Sequence, residues 1–409
     1  MGVATTYNPD GNAAFPPEPA SFAMSRLTAL LFLALASWVS PAFSADPPAG
    51  TTFPPQDIDP ATGLSRSSVV RPLRDVATVP DPRRSPPAVR RPHIALILPT
   101  SSQALGRLAE AVRQGFTVAA EVAGKEAPPL HVTAIENEGQ GLVDACLYAQ
   151  STGALLVVGG LTRDGATAMV SSDCARRPVL ALNEARAEGN PNVFSISLSL
   201  EHEARQAALL AVESGLRSAI VIHTPSPISR RVQEAFEREW TRAAGETRRI
   251  LYSGKAEEAA LIRERIANSR GDMVFFALDY NEALAVRPYV SAMLPVYATS
   301  LSVNPRADPL VNLDLQGLRY VEMPWFIHPD HPAVMVYPQP KEPQNVEQER
   351  LYALGIDAFR LALLLVKGEA AKLGLDGVTG KIALEPGNHF SRQLSPAEVD
   401  GGRVIPLRP

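Results

Sequence analysis

Short apolar runs alternate with helix-length amphipathic segments along the chain from His93 onward. The runs are HIALILP, LHVTAIE, ALLVVGG and PVLALN, and the pattern then repeats with NVFSISL, SAIVIH, TRRILYS and DMVFFAL. Strands that alternate with helices predict parallel sheets with right-handed crossovers and helices on both faces. Because the pattern occurs twice, we predict an α/β fold of two doubly wound parallel-sheet lobes over residues 93–409. A ligand or partner site is expected at the C-terminal ends of the strands, facing the gap between the lobes.

One predicted helix, RLYALGIDAFRLALLLVKG, is apolar or small around most of its circumference. At 100° per residue its charged side chains fall in one narrow arc; they are Arg350, Asp357, Arg360 and Lys367. Such a helix is packed on more than one side, and Gly355 would allow one close backbone approach. Asn345 with Gln348 predicts the start of the helix and Gly368 its end. With the strand expected in GVTGKIAL behind it, we interpret this helix as a late crossover that sets the relative position of the lobes.

The front of the chain has the pattern of an export signal. Residues 1–23 are polar and proline-rich and are interpreted as an upstream extension ahead of a start at Met24. A charged residue, the apolar run Leu27 to Val39 and a small-residue end predict a signal peptide over residues 24–42, cleaved after Ala42. An uncleaved anchor is the weaker alternative because the run is too short to span a bilayer. We expect a periplasmic protein with no transmembrane segment after cleavage.

Residues 43–92 are rich in proline and arginine and contain few large apolar side chains. Such a segment cannot bury enough surface to fold, so it is predicted to be a disordered tether. Contact of its arginines with anionic lipid or cell-wall polymer is the alternative. No cysteine follows the apolar run, so the chain lacks a lipobox and lipid anchoring to the outer membrane is not expected.

The composition excludes some classes of binding partner but does not identify one. The chain has 409 residues, 45% hydrophobic and 20% charged, which is typical of a soluble globular protein. Its formal charge of -4 shows no basic surplus, so nucleic-acid binding is not expected. Cys146 in the second predicted helix and Cys174 at the end of the third are a disulfide candidate, because an exported protein meets an oxidising compartment.

Motifs for catalysis are missing from the sequence. His202-Glu203 has Gln206 where a zinc-binding helix needs its second histidine, and Asp144 stands where a dinucleotide fingerprint after Gly139 needs glycine. Neither a Walker lysine pattern nor a G-x-S-x-G elbow occurs. We therefore predict a protein that is not an enzyme and needs no cofactor or metal.

Polar residues follow several of the predicted strands, where a cleft would lie. The cleft or ligand candidates are Ser101, Ser102, Thr162, Arg163, Asn183, Glu184, Asp279 and Tyr280. Their hydroxyls and the neighbouring helix N-terminal amides suit a carboxylate or another small polar group. The alternative is that these residues are ordinary helix caps. Trp325 is a candidate for partner contact, since aromatic side chains are favoured at interfaces, and packing against the hinge is its alternative.

The order of elements resembles the type I periplasmic-binding-protein fold, in which a G-x-T-G motif occurs late in the chain. Three stretches are similar to a narrower group, the penicillin-binding-protein activator or LppC lipoprotein family. They are LQGLRYVEMPWF, RLYALGIDAFRL and the tail from GVTGKIAL through SRQL to GGRVIPL. The pair Gly115-Phe116 and the runs IALILP, VVGGLT and PVLALN also fit that family.

The resemblance implies a periplasmic regulator that docks on a bifunctional class A penicillin-binding protein and stimulates peptidoglycan synthesis. Members are anchored to the outer membrane, whereas this chain has no lipobox cysteine. Longer members carry a helical-repeat domain where this chain has only the predicted tether. The alternative hypothesis is a periplasmic solute-binding protein that holds an amino acid or similar small ligand in the cleft.

Overall fold

A computed structural model describes residues 91–185, 189–243, 245–340, 344–369 and 374–407. The predicted upstream extension (1–23), the signal peptide (24–42) and the tether up to residue 90 lie outside the described residues. From residue 91 onward the described chain belongs to one structural unit, which contains two lobes.

The chain first forms five strands and three helices, as the alternation of apolar runs predicts. The strands are β1 His93–Leu98, β2 Leu130–Ala134, β3 Ala154–Gly159, β4 Val179–Ala181 and β5 Val193–Ile196. The helices between them are α1 Gly106–Ala123, α2 Gln140–Ser151 and α3 Arg163–Val170.

The next segment repeats this arrangement. Its helices are α4 Leu200–Glu213, α5 Pro227–Arg242, α6 Ala256–Ala267, α7 Tyr280–Val286 and the short α8 Pro309–Asn312. Its strands are β6 Ser218–His223, β7 Glu246–Leu251, β8 Met273–Ala277, β9 Val296–Ala298 and β10 Leu318–Glu322.

The last part of the chain adds elements to both lobes. Two short helices, α9 Pro324–Ile327 and α10 Pro332–Met335, precede the long helix α11 Val346–Lys367. The remaining strands are β11 Gly374–Asp376, β12 Lys381–Glu385, β13 His389–Gln393, β14 Ser395–Asp400 and β15 Arg403–Pro406.

Each lobe is built on one sheet with helices on both faces. Lobe 1 carries the strand order β11-β12-β13-β5-β4-β3-β1-β2, and lobe 2 carries β15-β14-β10-β9-β8-β6-β7. Strands β1 to β5 pair in parallel, as do β6 to β10. This confirms the predicted two-lobed α/β fold.

The C-terminal strands make one edge of each sheet antiparallel, which the sequence pattern did not predict. Strands β11, β12 and β13 form successive antiparallel pairs, and β14 pairs antiparallel with both β10 and β15. Turns of two to four residues join β11 to β12, β12 to β13 and β14 to β15, and such short connections allow only antiparallel neighbours. The β10–β14 pair joins strands that are distant in sequence. The G-x-T-G motif at 377–380 forms the turn between β11 and β12 rather than part of a strand.

Alternate side chains of each central strand enter different cores. In β1, Ile94 and Leu96 face a core shared with α1 and α11, whereas Ala95 and Ile97 face the α2 and α3 side. In β6, Ile220 and Val221 divide in the same way between the α6 and α4 sides of lobe 2. Burial of both faces explains why these strands are continuous apolar runs in the sequence.

The described chain passes between the lobes at three places. Residues 197–199 join β5 to α4, Met323 follows β10 on the way to α9 and α11, and Leu394 alone joins β13 to β14. These three segments form the hinge. Their positions fix the cleft between the lobes beside residues 197–201.

Helix α11 packs against α1 of lobe 1, and its apolar side chains enter the core formed with β1 and β3. Its capping box at Asn345 and Gln348 is formed, and Gly368 ends it in the left-handed conformation with φ 72°. At Gly355 the helix backbone contacts α1, because an added Cβ would overlap the Val112 carbonyl and lie 2.8 Å from the Phe116 amide nitrogen. The prediction of one close backbone approach is therefore confirmed.

The predicted cysteine pair forms a disulfide. Cys146 of α2 is bonded to Cys174 with a Cα–Cα distance of 5.9 Å, and both side chains are fully buried. Cys174 does not end α3 as expected. It lies in a separate 3-10 helix, Asp173–Arg176, which Ser172 caps after α3 has ended at Val170.

Candidate functional site

A cavity of about 250 Å³ lies between the lobes beside the hinge. Its floor is apolar and is formed by leucines of lobe 1 and α11, including Leu161, Leu182 and Leu354. Its polar groups come from both lobes. Of the eight predicted cleft residues, Arg163, Asn183 and Glu184 line this cavity.

Four other cleft candidates make contacts away from the cavity, and one of them, Asp279, is a helix cap as the alternative states. Ser102 accepts a hydrogen bond from the Leu105 amide, and Asp279 forms a capping box with Glu282 at the start of α7. The Ser101 amide donates to the Ile135 carbonyl at 3.2 Å, and the Tyr280 hydroxyl donates to Asn312 Oδ1 at 2.9 Å. None of these four predicted residues lines the described interlobe cavity.

Two further candidates combine a local role with a place near the cleft. Thr162 caps α3, because its hydroxyl accepts from the Gly165 amide at 3.0 Å. The Asn183 side chain donates to the Leu161 carbonyl at 2.8 Å and accepts from the Glu184 amide at 2.9 Å. The amide side chain of Asn183 thus ties the end of β4 to the end of β3.

The charged groups of the cavity bind one another across the cleft. Arg163 at the start of α3 donates to Glu201 of α4 at 2.7 Å, so lobe 1 is joined to lobe 2. Arg231 of α5 approaches the same carboxylate oxygen at 3.3 Å, and Glu184 lies 3.8 Å from Arg163. Two guanidinium groups therefore face two carboxylates.

Glu201 stays ionised in this arrangement. Burial alone would raise the pKa of its carboxyl group, but the hydrogen bond from Arg163 and the charge of Arg231 outweigh burial and lower that pKa. The same contact raises the pKa of Arg163. The charges of the cavity are compensated by protein side chains.

A buried carboxylate that the sequence did not reveal occupies the N-terminus of α3. Glu138 is 7% exposed and accepts from the amides of Leu161 and Thr162, each at 2.7 Å. Gly165 leaves room for it, because a Cβ there would lie 2.7 Å from the Cβ of Glu138. Helix N-terminal amides are a ready site for an anion, and here the protein supplies that anion itself. A single glutamate in a loop matches no motif, so only the tertiary structure shows its position.

The hinge contains buried charged groups. Arg350 of α11 and Glu322 of β10 form an ion pair at 3.0 Å, with side-chain exposures of 10% and 0%. Arg392 donates to the carbonyls of Ser197 and Thr379 at 2.8 and 3.2 Å. Glu203 accepts from the Ser300 amide at 2.9 Å, and burial raises the pKa of its carboxyl group. The Arg350–Glu322 pair thus joins α11 to lobe 2 beside Met323, and Arg392 joins β13 to the hinge residue Ser197.

The G-x-T-G motif has a structural role. Asp357 of α11 is fully buried and accepts from the amides of Val378 and Thr379 at 3.1 and 2.8 Å and from the Thr379 hydroxyl at 2.7 Å. A Cβ on Gly377 would come within 2.6 Å of the same carboxylate. The motif therefore holds the turn against α11, and the glycine makes room for this contact.

Trp325 is not a surface contact. The side chain is 2% exposed and packs in the lobe 1 core, with its ring 5.5 Å from that of Tyr352. Proline occupies the first position of α9, directly before this tryptophan, where its fixed φ suits the start of a helix. The expectation of partner contact at Trp325 is wrong, and the alternative of packing beside the hinge describes its position.

Within the described ranges, no group of three or more histidine, cysteine, aspartate or glutamate side chains is arranged to hold a metal ion. Nor does any helix of this part combine the length and apolar character needed to cross a bilayer.

Comparison with known proteins places the chain in a family. The sequence profile of the LppC lipoproteins matches residues 88–267 and 257–402. The chain belongs to the LppC lipoprotein family. Penicillin-binding protein activator LpoA of Glaesserella parasuis is 26% identical over 331 residues, which cover 76% of this chain and 54% of the relative. The relative of the same name from Serratia proteamaculans is 26% identical over 325 residues, which cover 69% of this chain and 48% of the relative. The chain thus spans about half the length of the curated LppC relatives it matches.

Solved structures show the same fold. The LpoA C-domain from Haemophilus influenzae, described as a regulator of PBP1A, superposes with a TM-score of 0.63 at 21% identity and covers 77% of this chain and 100% of that domain. A protein of Chromobacterium violaceum, described as a branched-chain amino acid ABC transporter, has a TM-score of 0.65 at 35% identity. That match covers 75% of this chain and 99% of the Chromobacterium chain. The LppC fold is thus shared with periplasmic-binding-like proteins.

Proposed function

We propose that this chain is a non-enzymatic periplasmic regulator that activates a class A penicillin-binding protein, a peptidoglycan synthase, by protein–protein contact. The proposal rests on the charged side chains of the cleft, which neutralise one another. Arg163, Arg231, Glu184 and Glu201 pair with one another there, and a small charged ligand would have to break these contacts. The names of the LppC relatives supply the class of partner.

A reconstituted synthesis assay tests this function. Adding the purified chain to a class A penicillin-binding protein of the same bacterium, with lipid-linked substrate, should raise the rate of peptidoglycan synthesis. Immobilised chain should also retain that synthase from solubilised envelopes. An unchanged rate together with no retention would contradict the proposal. A synthase of a different class is the matched control and should not respond.

The location follows from the same proposal. A periplasmic synthase domain can be reached only by an exported chain, and the apolar run of residues 27–39 has the pattern of an export signal. Fractionation should recover the chain in the periplasm with a mature N-terminus after Ala42. Recovery in the cytoplasm with the N-terminal residues intact would contradict export.

A solute-binding role is the second candidate, and one observation favours it. The 35% identical Chromobacterium violaceum protein carries the description of a branched-chain amino acid ABC transporter. Thermal unfolding with leucine, isoleucine or valine tests this role, because a ligand at 100 times its dissociation constant stabilises the folded state by about 2.7 kcal/mol. An unchanged melting temperature with all three would remove the support for this candidate.

A further inference from the structure

Two sets of ion pairs connect the lobes across the cleft, in addition to the buried Arg350–Glu322 pair at the hinge. In the first, Glu201 of lobe 2 receives Arg163 of lobe 1 at 2.7 Å while Arg231 of its own lobe holds the same oxygen at 3.3 Å. In the second, Arg306 of lobe 2 binds Glu349 of α11 through two guanidinium nitrogens at 2.8 to 3.2 Å. The first set uses α3, α4 and α5, and the second uses the loop before α8 and the start of α11.

These contacts differ from ordinary surface ion pairs in geometry and burial. The side chains of Glu201 and Glu349 are only 15% and 12% exposed, whereas Arg163 and Arg306 are 45% and 44% exposed. Arg306 makes a forked contact, and its guanidinium also lies 5.1 Å from the centre of the Phe326 ring. Forked and partly desolvated pairs are stronger and better oriented than exposed single contacts. The largely buried carboxylates of Glu201 and Glu349 are therefore held in defined positions for the arginines that bind them.

We propose that these five side chains, Arg163, Glu201, Arg231, Arg306 and Glu349, form a cleft latch that holds the two lobes at one fixed separation. Two-lobed proteins change shape by hinge motion about the segments that join the lobes. Opening such a hinge here would separate Arg163 from Glu201 and Arg306 from Glu349. The ion pairs of the latch determine the distance between the lobes, whichever partner binds the chain. This inference therefore goes beyond the proposed function.

The latch has a defined electrostatic signature. Its arginines are nearly half exposed, so mobile ions reach one side of each pair and screen it. At about 1 M salt the screening length falls to roughly 3 Å, which is close to the length of the contacts themselves. High salt should therefore have the same effect on lobe separation as removal of the carboxylate charges.

Distance measurement between one spin label on each lobe tests the latch. Asp144→Cys on α2 and Arg263→Cys on α6 place labels at exposed positions, and the two native cysteines are bonded to each other. The full chain should give one narrow distance distribution. The double variant Glu201→Gln with Glu349→Gln keeps side-chain size, removes both charges, and should give a broader distribution with a longer mean.

A matched control uses an ion pair that lies within one lobe. Arg249 of β7 binds Glu237 of α5 through two nitrogens at 2.7 and 2.8 Å, and both residues belong to lobe 2. Glu237→Gln removes a forked pair of the same kind and should leave the interlobe distance unchanged. Circular dichroism on each labelled sample confirms that the variants are folded.

Two results would overturn the latch. One is an identical distance distribution in the double variant and the unmodified chain. The other is a broad distribution in the unmodified chain at low salt that is insensitive to added salt. If the double variant fails to fold, the salt series on the labelled unmodified chain decides, because it needs no substitution at the latch.

Discussion

Replacement of Gly355 by alanine should destabilise lobe 1 although it adds only one methyl group. At this position α11 and α1 touch through their backbones, with no side chain between them. The added Cβ would overlap the carbonyl oxygen of Val112 and lie 2.8 Å from the amide nitrogen of Phe116. Both neighbours are helix backbone atoms, so neither can rotate away, and the two helices must move apart.

The size of the effect follows from that displacement. Carbon contacts are normally 3.5 to 4.0 Å, so the helices must separate by roughly 1 Å, which forfeits a quarter to a half of each dispersion contact along the interface. Overpacking of a well-packed core costs about 1 to 3 kcal/mol, and a backbone contact belongs at the upper end. We expect a loss of about 3 kcal/mol, equivalent to roughly 5 to 10 °C in melting temperature.

Thermal and urea unfolding followed by circular dichroism measures this loss, and Gly141→Ala in α2 is the matched control. There the same Cβ would meet only Asn137 Oδ1 at 3.7 Å. Alanine is the better helix former by about 1 kcal/mol, so the control should be neutral or slightly stabilising. Equal melting of Gly355→Ala and the unmodified chain would refute the close approach of the two helices.

Three further changes have expected outcomes. Double replacement of Cys146 and Cys174 by alanine should cost about 3.5 kcal/mol in urea unfolding, because the bond closes a loop with a sequence separation of 28; a loss below about 1 kcal/mol would contradict this. Burial, and then the charge of Arg205, lowers the pKa of His202 to about 4, below its unfolded value near 6.5. Up to about 3 kcal/mol of stability should therefore be present above pH 6.5 and be lost as the pH falls toward 4, and a His202→Gln variant with the same pH profile would contradict that assignment. Asp357→Asn should cost about 2 kcal/mol and speed amide exchange at Thr379, since a charged acceptor of its hydrogen bonds is removed; unchanged exchange would show that the carboxylate does not hold the turn.

The two-lobed core could be predicted because its signal is local. A strand buried on both faces is a continuous apolar run, and a helix between two such strands has an apolar period of 3.6 residues. The capping box at Asn345 and the glycine end at Gly368 were also predictable, because caps depend on neighbouring residues. The antiparallel edges were not, since Gly377 and Gly380 permit a turn but do not indicate which strand lies beside the next one.

The cleft was predictable in part for the same reason. Strand-end residues such as Arg163 and Glu184 could be placed at the correct edge of the sheet from the pattern alone. The ion-pair partners across the cleft could not be predicted. Arg163 binds Glu201 at a sequence separation of 38, and Arg306 binds Glu349 at a separation of 43. Pairing of charges over such separations depends on the angle between the lobes, which no local pattern encodes.

Three carboxylates of the chain itself occupy the anion-accepting positions found around the cleft and hinge. Glu138 accepts hydrogen bonds from the amides at the start of α3, and Asp357 accepts them from the amides of the G-x-T-G turn. Glu201 forms ion pairs with two arginines. An acidic ligand must displace a group that is covalently tethered beside its donors, and such a group acts at an effective concentration of millimolar or more. A free amino acid therefore competes poorly unless its apolar part gains much from the leucine floor of the cavity. A protein partner needs no entry to the cleft, so this occupancy supports regulation through the outer surface of the lobes.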